Sequence, residues 1–290
     1  MVTVAGLSVG GAGLEEWGEV VEWAAEEGWN PGGGDAACFH PTDPGGFFVG
    51  RVGGRIVSAV SVVNYSAEYA FLGYYMVRSG MRRGGLGLAT WRAAVPHAGE
   101  RTIGLDGVPA QQETYERAGF TAAYRNLRYA GRPTRPAPGS GALDGAPRIE
   151  PADAAPADAV ATYDRRCFPA DRRHFVGRWL AARGHIGYAA LRDGQVSGYG
   201  VIRPARDGMR IGPLFADGPL EAEALFDALI GHLPPDGQVT LDIPEVQEEA
   251  VALAERRGLV PVSHTVRMYA GQAPETGPGR TYGVTSLELG

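Results

Sequence analysis

The chain has 290 residues, and because domains of about 150 residues are common, this length predicts two domains. With 44% hydrophobic and 21% charged residues, the composition is that of a folded globular protein. The net charge of -6 argues against a nucleic-acid partner, and no segment approaches the roughly 18 apolar residues of a membrane span.

The N-terminal segment lacks the basic and apolar regions of a secretory signal, so we expect a cytoplasmic protein. From Leu14 to Ala24, apolar residues recur at helical spacing with glutamates between them, which predicts an amphipathic helix that ends at Gly28. Residues 47–63 predict a hairpin around Gly53-Gly54. A third strand is predicted from Tyr69 to Val77.

A glycine-rich turn follows this third strand and precedes a helical segment. Its sequence is Arg82-Arg83-Gly84-Gly85-Leu86-Gly87. Glycines let the backbone approach an anion closely, and the free N–H groups and positive dipole end of the next helix point toward that anion. The two arginines add charge-assisted donors. The turn therefore predicts a phosphate site, although most glycine clusters in a chain with 44 glycines are plain turns.

Downstream of this turn, strand and helix signals alternate. Residues 102–106 predict a strand, residues 115–120 belong to a second helical segment and its end, and an apolar strand is predicted around 122–130. This order predicts a mixed sheet with helices on its faces, which is an α/β (α+β) fold. The Pro/Gly-rich residues 132–147 offer no periodicity and predict a linker.

Beyond the linker, the sequence echoes its first half in the same order. The echoes pair residues 188–199 with 48–59, Leu241-Asp242 with Leu105-Asp106, Gly258-Leu259 with Gly119-Phe120, and 267–271 with 128–131. Matching offsets of 136 to 140 residues are hard to obtain by chance. They predict a tandem duplication of one fold, with domains at 1–131 and 148–290.

The second half differs from the first where the phosphate turn would lie. Residues 217–224 contain one glycine, no basic residue and three carboxylates, which would repel a pyrophosphate. We therefore expect the second domain to complete or cover the substrate site of the first, because clefts often form between domains. The alternative is that it only buries a flank of the first domain or forms a dimer contact, and a homodimer stays open.

Two elements of the first half resemble the GNAT superfamily of acyl-CoA-dependent N-acyltransferases. The family's pyrophosphate loop, Arg/Gln-x-x-Gly-x-Gly/Ala, is matched by Arg82-x-x-Gly85-x-Gly87, and its Tyr-x-x-x-Gly-Phe element by Tyr115 to Phe120. This resemblance covers roughly residues 5–131, and the whole chain looks like a subgroup with a second, GNAT-like C-terminal domain. One departure is Val108, where the family commonly has an asparagine that contacts the cofactor arm.

The resemblance implies tandem GNAT-like domains, each a mixed, mostly antiparallel sheet flanked by helices. It also implies acetyl-CoA as co-substrate and a catalytic first domain. The residues implied to hold acetyl-CoA are Met76, Val77, Arg82, Arg83, Gly84, Gly85, Leu86, Gly87, Leu88 and Ala89.

Direct attack of an amine on a thioester needs a base for the amine and an acid for the leaving thiolate. The resemblance assigns the acid to Tyr115, and Glu68 lies about where some members place a catalytic glutamate. The alternatives are a packing role for Tyr115 and a solvated strand edge for Glu68. Tyr74 and Tyr75 compete for the cleft, and because neighbours on a strand face opposite sides, we expect only one to point into it.

These features predict an N-acetyltransferase that moves an acetyl group to the primary amine of a small molecule. Alternatives are a protein-lysine or mycothiol-synthase-like acyltransferase, or a noncatalytic acyl-CoA sensor or scaffold that needs neither proton-transfer group. The six histidines and two cysteines show no metal-ligand spacing, so no metal is expected. Trp29 and Phe39 belong either to the acceptor pocket or to an aromatic core.

Overall fold

The structure is a computed structural model that describes residues 4–136, 145–155 and 157–290. Its α-helices are α1 (Leu14–Glu26), α2 (Asp35–Phe39), α3 (Leu86–Ala94), α4 (Gln112–Arg117), α5 (Ala157–Asp164), α6 (Arg173–Ala181), α7 (Pro219–Ile230) and α8 (Glu248–Arg256). Its strands are β1 (Leu7–Gly11), β2 (Phe47–Val52), β3 (Arg55–Asn64), β4 (Tyr69–Val77), β5 (Thr102–Gly107), β6 (Thr121–Gly131), β7 (Arg148–Pro151), β8 (Ile186–Arg192), β9 (Gln195–Pro204), β10 (Met209–Ala216), β11 (Val239–Pro244), β12 (Val260–Ala270) and β13 (Thr281–Gly283). Of the predicted linker, residues 137–144 lie outside the described residues.

Both halves contain the same hairpin. β2 and β3 are joined by Gly53 and Gly54, whose φ angles are 58° and 77°, and β8 and β9 are joined by Asp193 and Gly194, at 50° and 76°. Positive φ at both central residues gives the tight turn whose twist matches that of the flanking strands. The structure thus confirms the predicted hairpin and its echo in the second half.

One mixed sheet runs through both halves. Its strand order is β1-β2-β3-β4-β5-β12-β6-β11-β10-β9-β8-β7, with β13 beside β10. Within the part of the chain that the structure describes, the parallel pairs are β4–β5 and β10–β11. The predicted class, a mixed and mostly antiparallel sheet flanked by helices in each half, is therefore confirmed.

The centre of the sheet consists of exchanged strands. β12 belongs to the second half of the sequence but pairs with β5 of the first, with Arg267 opposite Asp106. β6 belongs to the first half but pairs with β11 of the second, with Arg128 opposite Asp242. Each half therefore completes its sheet with a strand of the other. The domain bounds at 1–131 and 148–290 stay a proposal based on the sequence repeat, because each half of the sheet contains a strand from the other half of the sequence.

Two equivalent ion pairs hold the exchanged strands. Arg267 Nη2 lies 2.7 Å from Asp106 Oδ2, and Arg128 Nε lies 2.7 Å from Asp242 Oδ1. Burial raises the pKa of Asp106 above its ordinary value even beside Arg267. Burial acts in the same direction on Asp242, but Arg128 and Arg210 together outweigh it and lower the pKa. Asp242 is therefore the more firmly ionised of the two carboxylates.

The same charges fix two segments outside the sheet. Arg210 Nη2 donates to Asp242 at 2.6 Å, and Arg210 Nη1 lies 3.3 Å from Glu288 Oε1 in the C-terminal segment, residues 284–290. Arg128 Nη1 donates to the carbonyl oxygen of Trp29, after α1, at 2.6 Å. One buried network thus connects the exchanged strands to the segments that flank the candidate site.

An aromatic core also joins the halves. Phe39 in α2 packs on Phe175 and Trp179 in α6, with ring centroids 4.4 Å and 5.4 Å apart. All three side chains are buried. Of the two aromatic residues considered for the acceptor pocket, Phe39 therefore belongs to the core.

Replacing Arg128 with Met tests the network. Asp242 would keep Arg210 but lose its cross-strand partner, and removing one member of a buried pair typically costs about 3–5 kcal/mol of unfolding free energy. Arg125→Met is the matched control, because Arg125 lies on the same strand and forms an exposed pair with Glu245, for which we expect a loss below about 1 kcal/mol. Urea denaturation measures both, and equal losses would contradict the role given to Arg128.

Candidate active site

The candidate site opens where β4 leaves β5. These strands pair in parallel as far as Leu72 and Leu105, and a bulge then interrupts the pairing of β4 with β3. Tyr74 lies at this bulge with a φ of 47°, a left-handed conformation that is uncommon for a bulky residue. The bulge redirects β4, and a gap opens between β4 and β5.

The two tyrosines pack on opposite faces of the sheet, as alternation along a strand predicted. Tyr74 belongs to the core that contains Trp17, whereas Tyr75 packs on Trp91 and Tyr115. Both residues line the cavity in the gap, so the expectation that only one of them points into the cleft stays a prediction. The Tyr74 ring is buried against Trp17 and Trp29, with centroid distances of 5.5 Å and 6.2 Å.

A groove of about 600 Å³ runs along the glycine-rich turn. Gly85 precedes α3 with a φ of 78°, a conformation that glycine adopts without steric cost. The N–H groups of the first turn of a helix have no acceptor within the helix and are available to an anion. Eight residues of the predicted cofactor site line the groove: Met76, Val77, Arg82, Arg83, Gly85, Leu86, Gly87 and Leu88. Gly84 and Ala89 lie in the same turn and helix but are not among the lining residues.

Gly87 marks the closest approach of α3 to β4. A Cβ atom there would lie 2.9 Å from Val77 Cγ2 and 3.0 Å from the Tyr75 hydroxyl. At Gly84, by contrast, an added Cβ would meet nothing nearer than 3.7 Å. The lack of a side chain at Gly87 therefore keeps the helix against the strand and the floor of the groove open.

Arg82 is held at the edge of the groove by two contacts. Its Nε donates to the carbonyl oxygen of Val77 at 3.1 Å, and its guanidinium forms an ion pair with Glu27. Glu27 follows the last residue of α1 and was not predicted from the sequence, because no motif links it to the turn 55 residues later. Arg83 has a φ of 70° and is exposed beside the same groove.

A second cavity of about 290 Å³ occupies the gap itself and adjoins the groove. Both are lined by Glu27, Trp29, Tyr75, Val108 and Gln111. The second half of the chain adds Ser263, His264 and Thr265 from β12 and Leu287 and Glu288 from the C-terminal segment. The second half therefore forms part of the wall, and Trp29 lies in the pocket, unlike Phe39.

Tyr115 reaches this second cavity from α4. Its ring packs on Trp91 and Tyr75, with centroids 5.9 Å and 6.4 Å away. Burial, with a smaller contribution from Tyr75, raises the pKa of the Tyr115 hydroxyl well above its ordinary value. The hydroxyl is therefore protonated at neutral pH and able to donate.

Glu68 lies elsewhere, on the exposed turn before β4. Its carboxylate accepts a hydrogen bond from the Ser66 hydroxyl at 3.0 Å, and it lines neither the groove nor the second cavity. The first residue of β4 at the cavity is Leu72, which an extended strand places about 13 Å further along. The geometry does not support Glu68 as the base.

The C-terminal segment packs directly on the bulge of β4. An ideal Cβ on Gly73 would lie 1.6 Å from the carbonyl oxygen of Glu288. The Tyr65 hydroxyl donates to the carbonyl oxygen of Leu289 at 2.5 Å, and the Ser286 hydroxyl donates to the Glu288 carboxylate at 2.6 Å. The segment is thus fitted to this part of the wall.

The second half fills its corresponding gap with its own chain. β10 and β11 pair in parallel from Met209 to Ile211, and β13 then lies against β10 with Tyr282 buried. At the position of the phosphate turn, Asp217 and Glu221 are paired with arginines. Both features agree with the expectation that the second domain does not bind the phosphate ligand.

Across residues 4–136, 145–155 and 157–290, no helix combines the length and apolar character that crossing a bilayer requires. Within the same residues, no cluster of three or more His, Cys, Asp or Glu side chains is arranged to hold a metal ion.

Comparison with known proteins identifies both halves separately. Residues 14–120 match the acetyltransferase (GNAT) family, and residues 160–283 match an acetyltransferase (GNAT) domain. The chain is also 34% identical over 279 residues to holothin acyltransferase from Pseudoalteromonas sp. (strain SANK 73390), covering 96% of this chain and 93% of that protein.

Solved structures show the same fold. A provisionally assigned acetyltransferase from Pyrococcus horikoshii aligns over 100% of this chain and 98% of its own, with a TM-score of 0.82 and 20% identity. A tandem GNAT protein from the clavulanic acid biosynthesis pathway aligns over 92% of this chain and 99% of its own, with a TM-score of 0.60 and 18% identity. At these identities the likeness extends to the fold alone.

Replacing Gly73 with Ala tests the fit of the C-terminal segment. The methyl group would meet backbone atoms of Glu288, so we expect a loss of about 1–3 kcal/mol in unfolding free energy and faster amide exchange in residues 284–290. Gly80→Ala is the control, because an added Cβ there meets nothing within 4 Å. Unchanged exchange in Gly73→Ala would show that the segment is not held against the bulge.

Proposed function

Because the chain belongs to the GNAT superfamily of acyltransferases, we propose that its first half binds acetyl-CoA and transfers the acetyl group to the primary amine of a small molecule. The observation that carries this proposal is the continuity of the two cavities. The groove along the glycine-rich turn adjoins the gap between β4 and β5, and five residues line both. A phosphate-bearing donor and an acceptor can therefore meet at the bulge.

The groove fits the donor in shape and charge. Gly87 leaves room that a Cβ would fill, the start of α3 offers free N–H groups to the pyrophosphate, and Arg82 and Arg83 supply positive charge. Beyond Leu72, β4 has left β5, so its backbone near Met76 and Val77 is available to an extended ligand arm and to a developing oxyanion. Val108, in place of the family's asparagine, lines both cavities without a polar side-chain contact.

Acetyl-CoA supplies a thioester carbonyl at the gap when bound. The position of Tyr115 on the wall of the gap and its protonated hydroxyl support this residue as the acid that gives a proton to the departing sulfur. Trp29, Tyr74 and Tyr75 give the gap an aromatic lining. Attack by the amine then needs no covalent intermediate on the protein.

The size of the acceptor cavity favours a small molecule over a protein lysine. The cavity of about 290 Å³ is lined by residues of both halves, including the C-terminal segment, and a small free amine fits a site of this kind. The relative that is 34% identical is named for acyl transfer to holothin, so holothin is the first acceptor to test. Spermidine and a lysine peptide represent the alternatives, and propionyl-CoA tests the acyl length.

Calorimetric titration of acetyl-CoA into the purified protein tests donor binding. We expect one site per chain, and affinity should fall about ten-fold or more in Gly87→Ala because overpacking displaces α3 from β4. Gly84→Ala is the matched control within the same turn, where an added methyl group has room. If the native protein does not bind, a role as acetyltransferase is excluded.

Replacing Tyr115 with Phe separates catalysis from binding. The ring and its packing are kept, so we expect unchanged acetyl-CoA affinity, whereas turnover should fall by about 100-fold if the hydroxyl acts as the acid. Steady-state rates with the acceptor that supports turnover measure this. Turnover equal to that of the native protein would leave Tyr115 with a packing role only.

A further inference from the structure

Proton removal from the acceptor needs a group at the cavities, and three carboxylates line them. Asp106 is already held by two hydrogen bonds from Arg267 and one from Asn126. Glu288 is held by Ser286 and Arg210. Both carboxylates are buried and paired with arginines. The remaining carboxylate is Glu27, which lines both the groove and the second cavity.

Glu27 has a hydrogen-bonded backbone and an exposed ion-pair partner. The N–H of Glu27 donates to the carbonyl oxygen of Trp23 at 2.9 Å, and Gly28 ends the helix with a φ of 80°. Within residues 4–136, 145–155 and 157–290 the carboxylate of Glu27 pairs with Arg82 alone, and the Glu27 and Arg82 side chains are 37% and 49% exposed. An ion pair this exposed contributes little and exchanges readily.

The partner of Glu27 is also the arginine of the phosphate turn. Pyrophosphate offers Arg82 more charge and more acceptor oxygens than one carboxylate, and it would repel a carboxylate that stays beside it. Donor binding therefore favours separation of Arg82 from Glu27. A rotation of the Glu27 side chain away from the phosphates leads toward the second cavity, whose wall it already shares.

We propose, building on the proposed acetyl transfer, that the donor releases Glu27 from Arg82 and that the freed carboxylate binds the acceptor amine and takes its proton. The nitrogen lone pair forms the C–N bond to the acetyl carbonyl carbon, and the C–S bond breaks. Glu27 accepts the proton from nitrogen, while Tyr115 gives its proton to sulfur. Glu27 later loses its proton to solvent and Tyr115 regains one, so charge and atoms balance. The acceptor then binds productively only after the donor.

Glu27→Gln tests this inference, with Glu19→Gln as the matched control. Glu19 lies on α1, the helix that Glu27 directly follows, and forms a similarly exposed pair with Arg78, but it lines neither cavity. In Glu27→Gln, Arg82 loses its competitor, so we expect acetyl-CoA to bind up to about five-fold more tightly, whereas kcat/KM for the acceptor falls by about 100-fold. Glu19→Gln should change neither quantity more than about two-fold.

Opposite changes in donor affinity and turnover are the signature, because a loss of folding would weaken both. The inference is overturned if Glu27→Gln retains turnover within about three-fold of the native rate, or if it binds acetyl-CoA more weakly than Glu19→Gln does. His264→Gln is a further variant at the second cavity. Loss of turnover in His264→Gln, together with full turnover in Glu27→Gln, would assign the role of proton acceptor to His264 instead. Native protein that binds no acetyl-CoA would instead refute the proposed function itself.

Discussion

The buried ion pairs of the central strands are the constraint on which the rest of the structure depends. Charged side chains are costly to bury unless each finds its partner with good geometry. Here Arg128 and Arg267 find theirs on strands of the opposite half. Because Asp106 corresponds to Asp242 and Arg128 to Arg267, a fold in which each half kept its own last strand could form equivalent pairs. What the exchange adds is that Arg128 joins Asp242 of the second half to the carbonyl oxygen of Trp29 in the first.

The network of Arg128, Arg210, Asp242 and Glu288 contacts the candidate active site from two sides. Through Trp29 it fixes the segment after α1, and through Glu288 it fixes the C-terminal segment. Both segments line the cavity at the bulge. The duplication therefore produced two gaps with different fates, one open beside a glycine-rich turn and one filled by β13. The filled gap completes the sheet around β10, and the open gap is the site proposed for acetyl transfer.

Sequence patterns predicted much of this arrangement because they are local. The Gly-Gly hairpin and the turn before α3 depend on backbone conformations that only certain residues adopt easily, so these elements could be identified in advance. The sequence could not show that Phe39 belongs to the core and Trp29 to the pocket, since both residues are aromatic and close in the chain. The turn itself predicted Arg82 but gave no sign of Glu27, whose proximity depends on how α1 packs.

Other features depend on contacts between distant residues. The residues of the exchanged ion pairs appear in the sequence as echoes, since Leu241-Asp242 repeats Leu105-Asp106 and Arg267 repeats Arg128. The spacing of these echoes does not show that each Asp contacts the Arg of the other copy. The bulge at Tyr74, which opens the gap between β4 and β5, could not be predicted, because a single extra residue cannot be seen in a pattern of period two. Glu68 matches the sequence position where some family members have a catalytic glutamate, but it lies on the turn before β4, ahead of the residues that line the cavity.

The exchange of strands has a consequence for the order in which the protein can fold during synthesis. β5 leaves the ribosome long before its neighbour β12, and more than half of the chain lies between them. Closing so long a loop is entropically unfavourable and slow, so the first half waits with an unpaired edge while the second is made. A ribosome that stops after residue 131 would release a sheet with an open edge, which is a template for aggregation.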